Sequence, residues 1–122
     1  MWWTILAVVA LFLILKFFLG HDISVDGAAG KLADDALLID VRTPGEFASG
    51  AAPDAVNIPL DEIQTRISEA ASDKNKPIVL YCHSGARAAI AAKTLRKAGY
   101  ADVSNVGTLS RAKQAVKNSR ER

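Results

Sequence analysis

The segment that most constrains the fold lies at residues 77–98, where a short apolar run passes directly into an alanine-rich stretch. Residues 77–81 are partly β-branched and bounded by proline, which predicts a buried strand. Residues 86–98 predict a helix with Ile90 and Leu95 on its inward side, ended by a glycine. A strand followed at once by a helix is typical of α/β folds.

The same alternation of strands and helices continues along the chain. The predicted strands cover residues 23–25, 37–41, 56–57, 78–81 and 103–106. The predicted helices cover residues 28–34, 44–49, 61–71 and 86–98, with a last helix from about residue 109. This order predicts an α/β fold with a mainly parallel sheet and helices on both faces, in which ligands bind at the carboxyl ends of the strands.

The only cysteine, Cys82, stands at the junction between the predicted strand and helix. A free cysteine is often an inert core residue, and that interpretation competes with a nucleophile. The following loop favours the nucleophile, because Gly85 allows the backbone to curl its N–H groups around one point at a helix N-terminus. Arg87 adds a positive charge, which also stabilises a thiolate. We therefore predict that Cys82 is the catalytic residue.

The rest of this loop is predicted to bind the substrate through its amides and its positive charge. These residues are His83, Ser84, Gly85, Ala86 and Arg87. His83 alone is more typical of a solvated loop, and Ser84 lacks His and Asp partners at a readable spacing, so we expect it to donate a hydrogen bond. The chain has no second cysteine and one other histidine, which argues against a metal site. No metal or organic cofactor is expected.

This loop resembles the active-site loop of the rhodanese family of sulfurtransferases, in its Cys-x-x-Gly-x-Arg form. Residues 37–47 and 55–60 resemble two further signatures of that family, in the same order. The resemblance extends from about residue 23 to residue 117, and the short single-domain bacterial members related to phage shock protein E are most similar. The chain departs from the family pattern at residues 50–55 and 106–109, at the expected rim of the pocket.

The resemblance implies sulfur transfer. Cys82, as a thiolate, would take the outer sulfur of a donor such as thiosulfate and pass it from a persulfide to a thiol, cyanide or protein acceptor. One alternative is a non-catalytic, membrane-tethered binding module, although such a module need not keep Cys82, Gly85 and Arg87. The other is a cysteine phosphatase, which requires a loop one residue longer between its cysteine and arginine.

Three charged residues of the first signature are predicted to support the site. Glu46 follows Arg42 by four positions, which predicts an ion pair that fixes the turn. Asp40 ends a predicted strand, and we expect its carboxylate to accept hydrogen bonds that orient the active loop.

Residues 1–20 are predicted to form a transmembrane anchor, and residues 21–122 the rhodanese-like domain. The run from Trp2 to Leu19 is apolar except at Thr4 and Lys16. As a helix it would span about 27 Å, close to the thickness of a bilayer. A cleaved signal peptide is the alternative, but no Lys or Arg precedes the run and no small-x-small site follows it closely.

The flanking charges predict a single-pass protein of the bacterial inner membrane. Lys16 and Lys31 lie on the C-terminal side of the apolar run, which favours a cytoplasmic over a periplasmic domain. The basic segment 111–122 is either a solvated helix face or a contact with anionic lipid. No aromatic residue interleaves with its charges, so nucleic-acid binding is not expected.

Overall fold

The strands form one parallel sheet with the site-bearing strand in its interior. They are β1 (Leu37–Asp40), β2 (Val56–Asn57), β3 (Ile78–Cys82) and β4 (Val103–Thr108). Their order in the sheet is β2-β1-β3-β4, and each neighbouring pair is parallel. Every residue of β3 is buried, as its apolar composition predicts. The predicted parallel sheet is confirmed.

Helices cover both faces of this sheet. Their bounds are α1 Trp2–Leu19, α2 Val25–Ala33, α3 Pro44–Ala48, α4 Ile63–Ala70, α5 Ala86–Lys97 and α6 Leu109–Arg120, with a 3₁₀ turn at Leu60–Glu62. Helices α4 and α5 pack against one face, and α2 and α6 against the other. Because side chains alternate along a strand, Leu80 and Cys82 join the core beneath α5. Val79 and Tyr81 join the core beneath α6.

Two local predictions are wrong. Residues 23–25 are not a strand, because Ser24 is the N-cap of α2 and its hydroxyl accepts the Gly27 N–H at 2.9 Å. Ile90 is 47% exposed, whereas Leu95 is buried as predicted. The buried stripe of α5 consists of Ala88, Ala91, Ala92 and Leu95, and Ile90 falls outside this helical spacing.

The structure is a computed structural model that describes residues 1–122, except for the side chains of residues 16–19. Within that description, no helix has both the length and the apolar character needed to cross a membrane. The predicted anchor is therefore not supported by this finding and stays a prediction. Residues 16–19 of the predicted anchor, which include Lys16, lie outside the described side chains.

Candidate active site

Cys82 is the last residue of β3, at the carboxyl edge of the sheet. Cys82 pairs with Thr108 of the neighbouring strand β4. It is completely buried, with 0% of its surface exposed to solvent. The chain then turns through residues 83–85 and enters α5 at Ala86. The loop thus joins a buried strand to a helix N-terminus, the position expected from the sequence.

Gly85 directs a backbone N–H at the sulfur of the cysteine. It is the N-cap of α5, and its φ of 96° lies in the left-handed region that favours glycine. Its N–H donates a hydrogen bond to Cys82 Sγ at 3.0 Å. A backbone donor at a helix N-terminus stabilises a thiolate and any anionic sulfur attached to it. The predicted role of the loop amides thus has a physical basis at Gly85.

The structure brings Arg87 to the same end of α5 but pairs it with Glu46. Its Nη1 and Nη2 donate to the two carboxylate oxygens of Glu46 at 2.7 and 3.0 Å. Both side chains are about one-third exposed. The pair raises the pKa of Arg87, and the negative charge of the Cys82 thiolate acts in the same direction. Arg87 is therefore a fixed cation near the nucleophile.

Glu46 is held in place by the start of α3. Thr43 caps this helix, and the Glu46 side chain accepts the Thr43 N–H in a reciprocal capping box. Hydrogen bonds from Arg87 and then from the Thr43 backbone lower the pKa of Glu46 to about 2. The predicted pair between Arg42 and Glu46 is wrong. Arg42 precedes the cap, so the spacing of four residues does not place the two side chains on one helix face.

Arg42 instead forms a buried ion pair with Asp40, the last residue of β1, two positions before it in the chain. Its Nε and Nη2 donate to the Asp40 carboxylate, the shortest contact being 2.7 Å. Asp40 Oδ2 also accepts the Tyr81 hydroxyl at 2.7 Å, and the same hydroxyl accepts the Ala52 N–H at 3.0 Å. Burial raises the pKa of Tyr81 to about 12. Asp40 therefore contacts, through the Tyr81 hydroxyl, the residue that precedes the nucleophile.

The remaining predicted loop residues differ in exposure. His83 is exposed, whereas Ser84 and Ala86 are partly buried. Their roles in binding substrate stay predictions. Among the described residues, no group of three or more His, Cys, Asp or Glu side chains could hold a metal ion.

Asn105 contacts the active loop although it was not among the predicted site residues. Its side-chain Nδ2 donates to the Gly85 carbonyl at 3.0 Å, and its Oδ1 accepts the Gly107 N–H at 2.9 Å. The signal in the sequence is an asparagine in a predicted strand, two positions before a glycine that directly follows that strand, a pattern that indicates a local side-chain turn or a bulge.

Comparison with known proteins identifies one domain family and several relatives that are similar to this chain. The rhodanese-like domain family matches residues 24–108. A sulfurtransferase from Allochromatium vinosum is 41% identical over 88 residues, which cover 70% of this chain and 80% of the relative. The thiosulfate sulfurtransferase PspE from Escherichia coli is 39% identical over 71 residues, or 58% of this chain and 68% of PspE.

Solved structures agree with the sequence relatives. A structure described as rhodanese with anions from E. coli superposes with a TM-score of 0.61 at 37% identity, covering 62% of this chain and 89% of that one. The human single-domain sulfurtransferase TSTD1 gives a TM-score of 0.60 at 28% identity, covering 68% and 85%. Together with the Cys82 loop at the carboxyl edge of a parallel sheet, these matches show that the chain belongs to the rhodanese-like domain family.

Proposed function

We propose that this protein is a sulfurtransferase that moves sulfane sulfur from a donor such as thiosulfate to a thiophilic acceptor. The observation that carries the proposal is the Gly85 N–H, which points at Cys82 Sγ from the start of α5. An inert core cysteine does not need such a donor. Relatives that carry the names sulfurtransferase and thiosulfate sulfurtransferase support the same reaction class.

The reaction consists of two displacements at sulfur. The Cys82 thiolate attacks the outer sulfur of thiosulfate and forms a new S–S bond. The old S–S bond breaks, and sulfite leaves with the electron pair of that bond. A thiolate or cyanide then attacks the outer sulfur of the persulfide. This second step gives a persulfide or thiocyanate and restores the Cys82 thiolate. The cycle needs no external oxidant or reductant.

The loop assists both steps by electrostatics. The Gly85 N–H stabilises the thiolate and then the terminal persulfide anion, because a preorganised donor needs no rearrangement during the reaction. Arg87 attracts the anionic donor, and its bond to Glu46 fixes its position. His83 is exposed at the same loop and adds a second polar contact for an anion.

The direct test is mass analysis of the purified full-length chain after treatment with thiosulfate. We expect one added sulfur atom on the peptide that contains Cys82, and its removal by cyanide with release of thiocyanate. The Cys82→Ser variant is the control, since a hydroxyl cannot hold a persulfide; circular dichroism verifies that it folds. The proposal fails if the wild-type chain gains no sulfur. Turnover of an aryl phosphate without sulfur gain would favour the phosphatase.

We also propose that α1 attaches the domain to a membrane through residues 1–20. Support comes from the apolar side chains of its described part, since Trp2, Trp3 and Phe12 are each more than 60% exposed. Apolar surface of this kind is costly in water and favourable in a bilayer. Tryptophans at the start of the helix suit the interface between water and lipid.

Fractionation of a bacterial host tests this attachment. The full-length chain should stay with the membranes after washing with high salt and then with carbonate, and release by either wash would contradict an anchor. Protease added to intact spheroplasts tests the proposed cytoplasmic side. Digestion of the domain in intact spheroplasts would show that the domain lies on the periplasmic side of the membrane.

A further inference from the structure

Strand β4 contains an irregularity next to the active loop. Leu80 of β3 pairs with Asn105, whereas the next residue, Tyr81, pairs with Gly107, so Val106 is an additional residue in β4. Gly107 has a φ of 103°, which favours glycine at this turn of the strand. Irregularities of this type redirect a side chain, and they are common beside active sites.

The side chain redirected here is the carboxamide of Asn105. Asn105 is 3% exposed, and both the oxygen and the nitrogen of its carboxamide form hydrogen bonds. Oδ1 accepts the Gly107 N–H at 2.9 Å, which orients the amide. Nδ2 donates to the Gly85 carbonyl at 3.0 Å and, at the longer distance of 3.4 Å, to the Gly20 carbonyl. The Gly85 carbonyl also accepts the Ala89 N–H at 2.9 Å within α5. The carboxamide thus adds a hydrogen bond between β4 and Gly85, the N-cap residue of α5.

The backbone of Asn105 is fixed from the other side by Asp22. The Asp22 N–H donates to the Asn105 carbonyl at 2.9 Å, and the Asn105 N–H donates to Asp22 Oδ1 at 2.7 Å. Asp22 also receives a hydrogen bond from Arg96 in α5 at 2.8 Å. Asn105 is consequently held at its backbone as well as at both ends of its carboxamide.

We propose that Asn105 is a positioning residue for sulfur transfer, which holds Gly85 so that the Gly85 N–H stays on the sulfur of Cys82. The inference rests on the proposed function. Glycine has little intrinsic preference among backbone conformations, so the hydrogen bond to its carbonyl limits rotation that would turn the N–H away. The aligned N–H then stabilises the thiolate and the persulfide anion.

The test is the pH dependence of persulfide formation at Cys82, measured in single turnovers with thiosulfate by quenching and mass analysis. For Asn105→Ala we expect the rate at neutral pH to fall roughly tenfold and its pH midpoint to move upward, because the thiolate loses an aligned donor. The matched control is Asn57→Ala. The Asn57 carboxamide also donates to two backbone carbonyls, those of Asp40 and Arg42, but does not contact the loop. This control should lose stability and keep the wild-type midpoint.

A folded Asn105→Ala variant with the wild-type midpoint would overturn the inference, as would the same shift in Asn57→Ala. Absence of sulfur uptake by the wild-type chain would instead overturn the proposed function. A measurement on the wild-type protein covers the case in which the variant does not fold. Conversion of Cys82 to the persulfide should shift the NMR signals of the Gly85 N–H and the Asn105 side-chain amide, and leave that of Asn57 in place. An unmoved Asn105 signal would also overturn the inference.

Discussion

At the scale of single residues, Glu46 fixes the position of Arg87. The bidentate pair fixes a flexible cation at the first turn of α5, close enough for the Cys82 thiolate to affect it. His83 lies next to the nucleophile in sequence but is exposed. The Arg87 side chain is therefore fixed by an ion pair, whereas the His83 side chain faces solvent.

We expect Arg87→Ala to lower kcat/KM for thiosulfate by about tenfold or more, because the variant loses a fixed charge that attracts the donor. His83→Ala should cost less. Steady-state thiocyanate formation measures both effects, and circular dichroism verifies folding. An equal loss in the two variants would argue against the special placement of Arg87.

The lowered pKa of Glu46 makes its pairing dependent on pH. The folded value is about 2, against an ordinary value of 4.5. The pair therefore stabilises the fold fully above pH 4.5, and this stabilisation is lost as the pH falls from 4.5 toward 2. Glu46→Gln keeps an acceptor for the helix cap and removes the charge.

The free energy of unfolding, measured in urea, should consequently be lower for Glu46→Gln than for the wild type at pH 7. The difference should be about 1 kcal/mol or less, because solvent screens a pair that is one-third exposed. At pH 2.5 the difference should shrink. A difference that stays constant between these pH values would contradict the assignment of the low pKa to Glu46.

At the scale of secondary structure, Tyr81 connects β3 to β1 and to the loop before β2. Its hydroxyl donates to Asp40 and accepts the Ala52 N–H, while its ring lies in the core beneath α6. The connection places the end of β3, and so Cys82, relative to the neighbouring strand. Together with the ion pair to Arg42, the Tyr81 hydroxyl also explains why the polar Asp40 is tolerated with no exposed surface.

We expect Tyr81→Phe to lower the free energy of unfolding by about 1–3 kcal/mol, since it leaves the buried Ala52 N–H without its acceptor and removes a donor from Asp40. Tyr100→Phe is the matched comparison. The Tyr100 hydroxyl donates to the carbonyl of Ala71 at 2.6 Å, so this variant leaves only an acceptor unpaired. Urea unfolding of both variants measures the costs, and a smaller loss at Tyr81 than at Tyr100 would contradict this account.

The secondary structure that depends on local pattern could be predicted from the sequence. The apolar run of β3, the turn at Pro44 and the helix after Gly85 each carry their own signal, and each was found near its predicted bounds. The contacts between distant segments could not be predicted in this way. The partner of Glu46 depends on how α3 meets α5, and the orientation of Asn105 depends on the pairing of β4 with β3.

At the scale of the whole molecule, the two cores that pack against the sheet contain no described residue of α1. The segment that joins them, at Asp22, pairs with Asn105 through backbone hydrogen bonds. A chain that begins at residue 21 would keep Asp22 and both cores, and would lose only the longer hydrogen bond of Asn105, the one at 3.4 Å to the Gly20 carbonyl. The proposed membrane attachment and the proposed chemistry are thus separable.

Deletion of residues 1–20 should give a domain that stays in the supernatant after ultracentrifugation and retains thiosulfate-dependent thiocyanate formation within about twofold of the full-length chain. Sedimentation and steady-state assays measure the two properties. Loss of activity in a variant that still folds by circular dichroism would show that α1 contributes to the site.

The parallel pairing of the strands also has a consequence for folding. Glu46 and Arg87 are 41 positions apart, as are Asp40 and Tyr81, and Gly85 and Asn105 are 20 apart. Such non-local contacts require closure of long chain segments before they gain stability, which slows folding relative to helical bundles. No short contiguous segment contains the complete site. After dilution from urea, sulfur transfer should therefore return in the same kinetic phase as the circular dichroism of the whole domain.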